Sequence, residues 1–255
     1  MTSTEQQPAT YVYGIVPADV MTNRETRGVG DPPGQVSIVR VGDVAALVSE
    51  VVTDRPLGKP EDLTAHANIL DTTAAEMPVL PMRFGAVLAS RDAVAEELLR
   101  EHHDEFVNAL HELEGKAEYV VKGRYQQDAI LKEVLAESED AARLQEAVAT
   151  KPEDAARNDR IALGELIYNG LAVKRDADTR RVIAELESLG GVEIAPLDPT
   201  HDEDAVHVAC LANLSTQSEL ESLVGRFADE WEGRVDMKLL GPLAPYEFVV
   251  TERQE

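Results

Sequence analysis

Apolar residues fall in short blocks along the chain, and the spacing within each block predicts an element. Tyr11-Val12-Tyr13-Gly14-Ile15-Val16 is a β-branched and aromatic run closed by Pro17, which reads as a strand. Val36 to Val41 and Val44 to Val52 are two more apolar runs, separated by the hairpin signal Gly42-Asp43. Asp62 to Glu76 is rich in Ala and Leu and reads as a helix. Pro78 to Leu88, PVLPMRFGAVL, returns to strand character. Ser90 is placed as an N-cap for a helix with Val94, Leu98, Phe106, Leu110 and Leu113 on one face, and Gly115 ends it as a C-cap.

After Gly115 a second series begins. Glu118 to Tyr125 reads as a strand, and Asp128 to Leu189 as helix with breaks near Ser138 and at Lys151-Pro152, where a new helix starts at the proline. Val192 to Leu197 and Ala205 to Leu214 read as strands, and Ser215 caps a helix reaching about Trp231. Arg234 to Leu240 is a strand, Gly241-Pro242 a turn, and Tyr246 to Val250 a terminal strand. The second half therefore runs β, helices, β, β, α, β, the split βαβ order of ferredoxin-like domains. The class is α+β in two domains: a tail over residues 1–10, an N-terminal domain over 11–114, and a helix-rich C-terminal domain over 115–255.

Composition narrows the partners. Of 255 residues 44% are hydrophobic, enough to bury a core, and with aromatics at only 4% the aliphatic side chains must fill it. Acidic residues number 48 against 24 basic ones, a formal net charge of −24. Nucleic acid and anionic membranes both ask for a basic footprint, so neither is expected as a partner. The single Cys210 allows no internal disulfide, no apolar run approaches a membrane span, and the N-terminus lacks a secretory apolar region. A soluble cytoplasmic protein is expected.

No catalytic constellation emerges. There is no G-x-S-x-G elbow and no phosphate-binding G-x-x-x-x-G-K sequence; Gly28-x-Gly30, continuing to Pro33-Gly34, lacks a strand-to-helix context and reads as loop. Cys210 sits in the apolar run AVHVACLANL and reads as a buried thiol. His102 and His103 are adjacent on a helix and point about 100° apart, while His111 is two turns from His103, so these read as a solvated face and not a metal site. Asp198 to Asp204, followed by His207, carries carboxylates and imidazoles but reads as an acidic turn between strands. No metal and no cofactor is expected.

Two segments stand out for other reasons. PVLPMRFGAVL holds one charge, Arg83, among apolar or small residues; an arginine inside such a strand needs a carboxylate or carbonyls, and a carboxylate beneath the strand is expected. In Gly241-Pro242-Leu243-Ala244-Pro245-Tyr246-Glu247-Phe248-Val249 the prolines rigidify a turn. Arg83, Phe84, Gly85, Gly241, Pro242, Pro245 and Tyr246 are the candidate structural or interface residues.

These segments, in order with YVYGIV at 11–16, VGDVAALVSEV at 41–51, His66-Ala67, the EYVVK strand and RIALGELI at 160–167, resemble the gas vesicle protein L/F family from about residue 11 to 250. The resemblance implies an accessory protein of gas vesicle assembly and not an enzyme. It implies two α+β domains, the first a modified ferredoxin-like fold, and partners that are the small hydrophobic gas vesicle shell protein and other gas vesicle accessory proteins. It also implies localisation to the gas vesicle, and it brings no catalytic, cofactor or metal residues. A shell that excludes water needs subunits with an apolar face, and such a face aggregates before assembly; an acidic partner covering it keeps the complex soluble. The alternative is an enzyme or small-ligand-binding protein on tandem ferredoxin-like domains, with His66 and His207 as the histidines in apolar surroundings that a haem would require.

Overall fold

The computed structural model describes residues 9–21, 26–52 and 57–249. The expected tail up to residue 8, residues 22–25 of a polar, Gly- and Pro-rich stretch over 22–34 that reads as loop, and Val250 lie outside these. Two compact units form. They are not the contiguous stretches 11–114 and 115–255: the first runs to Tyr119 and also takes Leu211–Leu214 and the chain from Gly241 on, and the second takes Val120–Cys210 and Ser215–Leu240.

The first unit is built on the strands β1 (Ala9–Pro17), β2 (Ser37–Val41), β3 (Val44–Val51), β4 (Leu80–Pro81) and β5 (Val87–Leu88), in the order β2-β3-β1-β4 with β5 also on β1. Ala9 and Thr10, expected in the tail, are the first residues of β1. The hairpin at Gly42-Asp43 forms with Val41 opposite Val44. β1 is apolar throughout because both its faces are covered. Tyr11, Tyr13 and Val16 pack with Ile69, Leu70 and Ala74 of the helix α1 (Pro60–Ala74). Val12 and Ile15 pack with Val94, Leu99, Leu110 and Leu113 on the other side. The alternation changes parity between Tyr13 and Ile15 because a bulge against β3 falls between Val12 and Gly14, inserting one extra residue.

Two expectations change here. PVLPMRFGAVL is not one strand: β4 and β5 both pair with β1, but between them Ala86 N–H donates to the Arg83 carbonyl and turns the chain outward. The helix from Ser90 is not continuous either. Ser90 caps α2 (Arg91–Ala93) by accepting from Ala93 N–H, a π-helical stretch follows over Val94–Arg100, and the chain breaks at Glu101–His102 before α3 (His103–Glu112).

The remaining elements are β6 (Lys116–Tyr125), α4 (Gln127–Ala136), α5 (Glu139–Thr150), α6 (Arg157–Ser188), β7 (Glu193–Pro196), β8 (Asp204–Asn213), α7 (Gln217–Glu230) and β9 (Val235–Leu243), with the second sheet ordered β7-β8-β6-β9. Ser138 caps α5 as its type suggests. The next helix begins at Arg157 after a turn and not at Pro152, and Ser215 lies inside a 3-10 turn while α7 starts after Thr216. β9 runs through Gly241-Pro242, and residues 246–248 form a turn, not a terminal strand. A proline is tolerated there because β9 is the end strand of its sheet, where one N–H can be spared.

In the second unit, α7 buries Leu220, Leu223, Val224 and Phe227 at helical spacing. Arg234 bonds Glu133 at 2.7 Å and Asp178 at 2.8 Å, tying α4 and α6 to the start of β9. Its guanidinium also lies over the rings of Tyr125 and Trp231, and Tyr125 Oη–H donates to Asp178 at 2.7 Å. Glu133 is held below the usual carboxylate range by its hydrogen bonds from Arg234 and then Lys174.

Candidate functional site

Phe84 and Gly85 from one distinctive segment and Tyr246 from the other converge on a single side chain, His66 of α1, within the first unit. Tyr11 Oη lies 2.9 Å from His66 Nδ1, and Tyr246 Oη lies 2.8 Å from Nε2. Gly85 N–H donates to Tyr11 Oη at 3.1 Å, and Tyr246 Oη reaches the Met82 carbonyl at 3.5 Å. Burial pushes the His66 imidazole below its ordinary value, against a smaller opposing effect of the Met82 carbonyl. A neutral ring has one N–H. Donor counting assigns it to Nε2, donating to Tyr246, while Tyr11 donates to Nδ1. The circuit begins at Gly85 and closes at Met82, so both ends lie on the outward turn between β4 and β5. Phe84 packs edge-on against His66 and Tyr11, with ring centroids at 5.6 and 6.0 Å.

Beside it, Tyr13 Oη bonds Ser49 Oγ at 2.8 Å and accepts from Val29 N–H at 2.8 Å. Burial pushes Tyr11 up to about 12, and raises Tyr13 and Tyr246 as well. Asp62, at the start of α1, accepts Gly30 N–H at 2.8 Å, which fixes the loop ahead of β2.

Two carboxylates hold the segment from Ala244 to Val249. Asp71 accepts Ala244 N–H at 3.0 Å, and Glu118 accepts Glu247 N–H at 3.0 Å. Burial raises Asp71, and burial together with the charges of Glu247 and Asp71 raises Glu118 to about 7, although the hydrogen bond from Glu247 pulls the other way. The segment adds Ala244 to one apolar cluster and Phe248 and Val249 to the other.

Arg83 is the exception among the candidates. It is exposed, and no carboxylate of the described residues pairs with it, so the buried ion pair expected beneath the strand does not exist. The turn that breaks the strand is what carries Arg83 into solvent. Gly85 has φ of +91°, a conformation L side chains rarely adopt. Gly241 has φ of +139°, and a Cβ there would meet the Tyr119 ring at 2.5 Å. Its bond to Pro242 is cis. Pro245 is buried and its carbonyl accepts from Phe248 and Val249.

The arrangement is a positioning network. Both ring nitrogens of His66 are engaged by tyrosines, so His66 offers no free nitrogen to a haem, whereas His207 is half-exposed and tied through Nδ1 to the Asp198 carbonyl at 2.8 Å. The Asp198–His207 stretch is a turn organised by Asp204, which accepts from Thr200 N–H, Thr200 Oγ1 and His201 N–H. Burial alone would raise Asp204, but these bonds overcome it and lower its pKa. His102 and His103 contact Glu105 and Asp104 separately, and no group of three metal-ligating side chains occurs among the described residues. Cys210 is buried. A cavity of about 810 Å³ opens beside α1, lined by Val20, Met21, Thr64, Asn68, Ile69 and Thr72 among others. Among the described residues no helix is long and apolar enough to cross a membrane.

Sequence reasoning missed the roles of Asp71, Glu118, Tyr11 and Arg234. For Glu118 the signal was present: a lone acid opening the apolar run Tyr119-Val120-Val121.

The family model described as gas vesicle synthesis protein GvpL/GvpF matches residues 9–250. The chain is 33% identical over 248 residues to gas vesicle protein F of Streptomyces sp. (strain CB03234), covering 94% of this chain and 99% of that protein. It is 25% identical to gas vesicle protein F of Dolichospermum flosaquae, over 93% of this chain and 96% of the other. The crystal structure of the gas vesicle protein GvpF from Anabaena sp. PCC7120 shares the fold, with a TM-score of 0.74 at 21% identity over 94% of this chain and 97% of that one. The chain belongs to the GvpL/GvpF family of gas vesicle synthesis proteins.

Proposed function

We propose that this chain is a non-catalytic accessory protein of gas vesicle assembly. It binds the small hydrophobic shell protein and other accessory proteins in the cytoplasm and at the vesicle, and keeps them competent to assemble. The family match from residue 9 to 250 carries this reading. The net charge of −24 supports the solubilising part of it. We take the two compact units as two α+β domains. The order β7-β8-β6-β9 supports a ferredoxin-like second domain. The first has the same spatial order, β2-β3-β1-β4, but pairs β1 antiparallel to β3 and places α1 after β3, which makes it a modified version.

The contact is made through backbone and apolar groups. Sheet edges offer unpaired N–H and C=O groups to an extended partner, and proteins usually blunt them. β2 is blunted by Arg91, which bonds the Ser37 hydroxyl and the Ile38 carbonyl, and β7 is short and ends in Pro196. β9 is an end strand of nine residues, longer than β2 or β7, and has no proline from Val235 to Leu240, so that stretch is the edge proposed to pair. Arg83 is proposed as an exposed contact residue, on a turn that Phe84, Gly85 and Tyr246 hold in place.

Co-purification with the shell protein at low and at roughly 1 M salt tests the reading, since at 1 M the Debye length is about 3 Å. The complex is expected to survive. Its loss at high salt makes the contact electrostatic. Absence of a complex at any salt, with vesicles still forming in a deletion strain, removes the assembly function.

A further inference from the structure

The stretch Ala244–Val249 sits in the first unit as a bound peptide sits in its groove. It lies outside both sheets, and its own backbone closes a turn in which Phe248 and Val249 N–H donate to the Pro245 carbonyl. Side chains of α1 and β6 hold it. Ala244 N–H donates to Asp71 at 3.0 Å, Glu247 N–H donates to Glu118 at 3.0 Å, and between them the Tyr246 hydroxyl meets His66 Nε2 at 2.8 Å. Ala244 is 1% exposed within one apolar cluster, and Phe248 and Val249 pack against the other. Lifting the stretch out breaks no strand pairing, which places it among the less costly local openings of the unit. The groove left behind reads a pattern: a small residue, a proline that pre-sets the backbone, a tyrosine, and a large apolar side chain two residues on.

We propose that this groove is a peptide-docking site, filled by the chain's own Ala244–Val249 until a segment of another protein with the pattern Ala-Pro-Tyr, an uncharged residue and Phe displaces it. The built-in occupant selects that ligand twice over. It shows which groups fit, and it shows where the fit is poor. The charges acting on Glu118 are those of Glu247 and Asp71, both negative, and no base of the described residues is ion-paired with any of the three. An uncharged residue in place of Glu247 keeps the backbone N–H that Glu118 accepts and removes one of three like charges gathered at a buried carboxyl. A tethered occupant competes at an effective concentration of the order of mM, so only a segment that fits better replaces it. A second copy of this chain brings the same Glu247 and a further charge of −24, which disfavours exchange between copies. The inference does not rest on shell-protein binding and stands or falls separately from it.

The test uses the full chain and the synthetic peptides LAPYQFV, LAPYEFV and LAPSQFV, of which LAPYEFV repeats residues 243–249. Fluorescence anisotropy reads binding, and amide NMR of the labelled chain reads displacement. LAPYQFV should bind about 3-fold tighter than LAPYEFV and about 5-fold or more tighter than LAPSQFV. As it saturates, the Ala244 and Glu247 amides should leave their hydrogen-bonded shifts, and the signals of α1 and of the turn at Gly85 should move with them. Two variants of the chain shift the affinity for LAPYQFV in opposite directions. Tyr246→Ser loosens the built-in segment and should raise the affinity about 5-fold, and Glu247→Gln tightens it and should lower the affinity about 3-fold. Both positions are exposed, so both variants should keep the wild-type circular dichroism; should Tyr246→Ser lose it, the sign of the Glu247→Gln effect decides. Binding that leaves the Ala244 and Glu247 amides in place, equal binding of LAPSQFV, no binding at all, or a Glu247→Gln chain that binds as tightly as wild type overturns the proposal. So does self-association of the free protein that Tyr246→Ser dissolves, which assigns the groove to the segment of a second copy.

Discussion

Replacing Glu118 by Gln isolates a strongly perturbed carboxylate of the first unit. Glu118 is 5% exposed, and its carboxyl is raised from 4.5 to about 7 by burial and by the negative charges of Glu247 and Asp71. Between those values the folded state holds a proton that the unfolded chain has released, so stability falls as pH rises through the window. At ~1.4 kcal/mol per tenfold change in proton affinity the whole shift corresponds to at most ~3.5 kcal/mol, and solvent screening of a carboxyl that retains some contact with water brings this to ~1–2 kcal/mol. Glutamine preserves the volume and can still accept Glu247 N–H, but it cannot ionise. Above pH 7 the variant should be more stable by ~1–2 kcal/mol, or ~2–8 °C in melting temperature, and below about pH 4.5 the difference should vanish or reverse slightly. Hydrogen exchange of the α1 amides in wild type and variant, at pH values of roughly 5 and 8, reads the first unit alone and cancels the other carboxylates common to both. Equal protection at the higher pH, or a larger gain at the lower one, would refute the assignment of the shift to Glu118.

His66→Ala removes the centre of the Tyr11–His66–Tyr246 circuit and leaves the buried Tyr11 hydroxyl short of a partner; thermal melting should show a loss of ~2–4 kcal/mol, whereas His66→Gln, able to bond one tyrosine, should lose less. Arg234→Leu strips Glu133 and Asp178 of their shared cation, with all three side chains under a third exposed, and urea titration should show destabilisation by ~2–4 kcal/mol. Arg83→Ala should melt within ~0.5 kcal/mol of wild type, because the side chain is exposed and none of the described residues pairs with it; a shell-protein pull-down with this variant then reads its contact role without a folding artefact. Gly85→Ala has room for the methyl but not the backbone angle, so a loss of ~1 kcal/mol in thermal melting is expected, from φ alone.

Element order was legible because it rests on local signals. The Gly42-Asp43 hairpin, the Ser90 cap and the helix break near Ser138 are written within a few residues of where they act. The failures have long-range causes. PVLPMRFGAVL has the composition of a strand, and only its partner β1, bulged at Gly14, determines that the middle leaves the sheet. Likewise Gly241-Pro242 looks like a turn until β9 is known to be the end strand. At the site, Phe84, Gly85 and Tyr246 were visible as unusual residues, but the histidine joining them is 180 positions from Tyr246 along the chain. Arg83 was misjudged because an arginine among apolar letters has the same sequence whether the strand buries it or a turn expels it.

The segment from Ala244 to Val249 has a consequence for the timing of synthesis. The first unit has most of its strands by Leu88 and its helices by Glu112, yet Ala244 and Phe248 of its apolar clusters, and the Tyr246 hydroxyl that satisfies His66, are translated about 130 residues after Tyr119. At ~5–20 residues per second that is a wait of roughly 6–26 s during which the unit emerging first from the ribosome is unfinished. The second unit, contained between Val120 and Leu240, has all its residues before the first has its last ones. A nascent chain therefore presents the His66 circuit open on one side until Tyr246 has been made, so of the two units the one begun first is completed second.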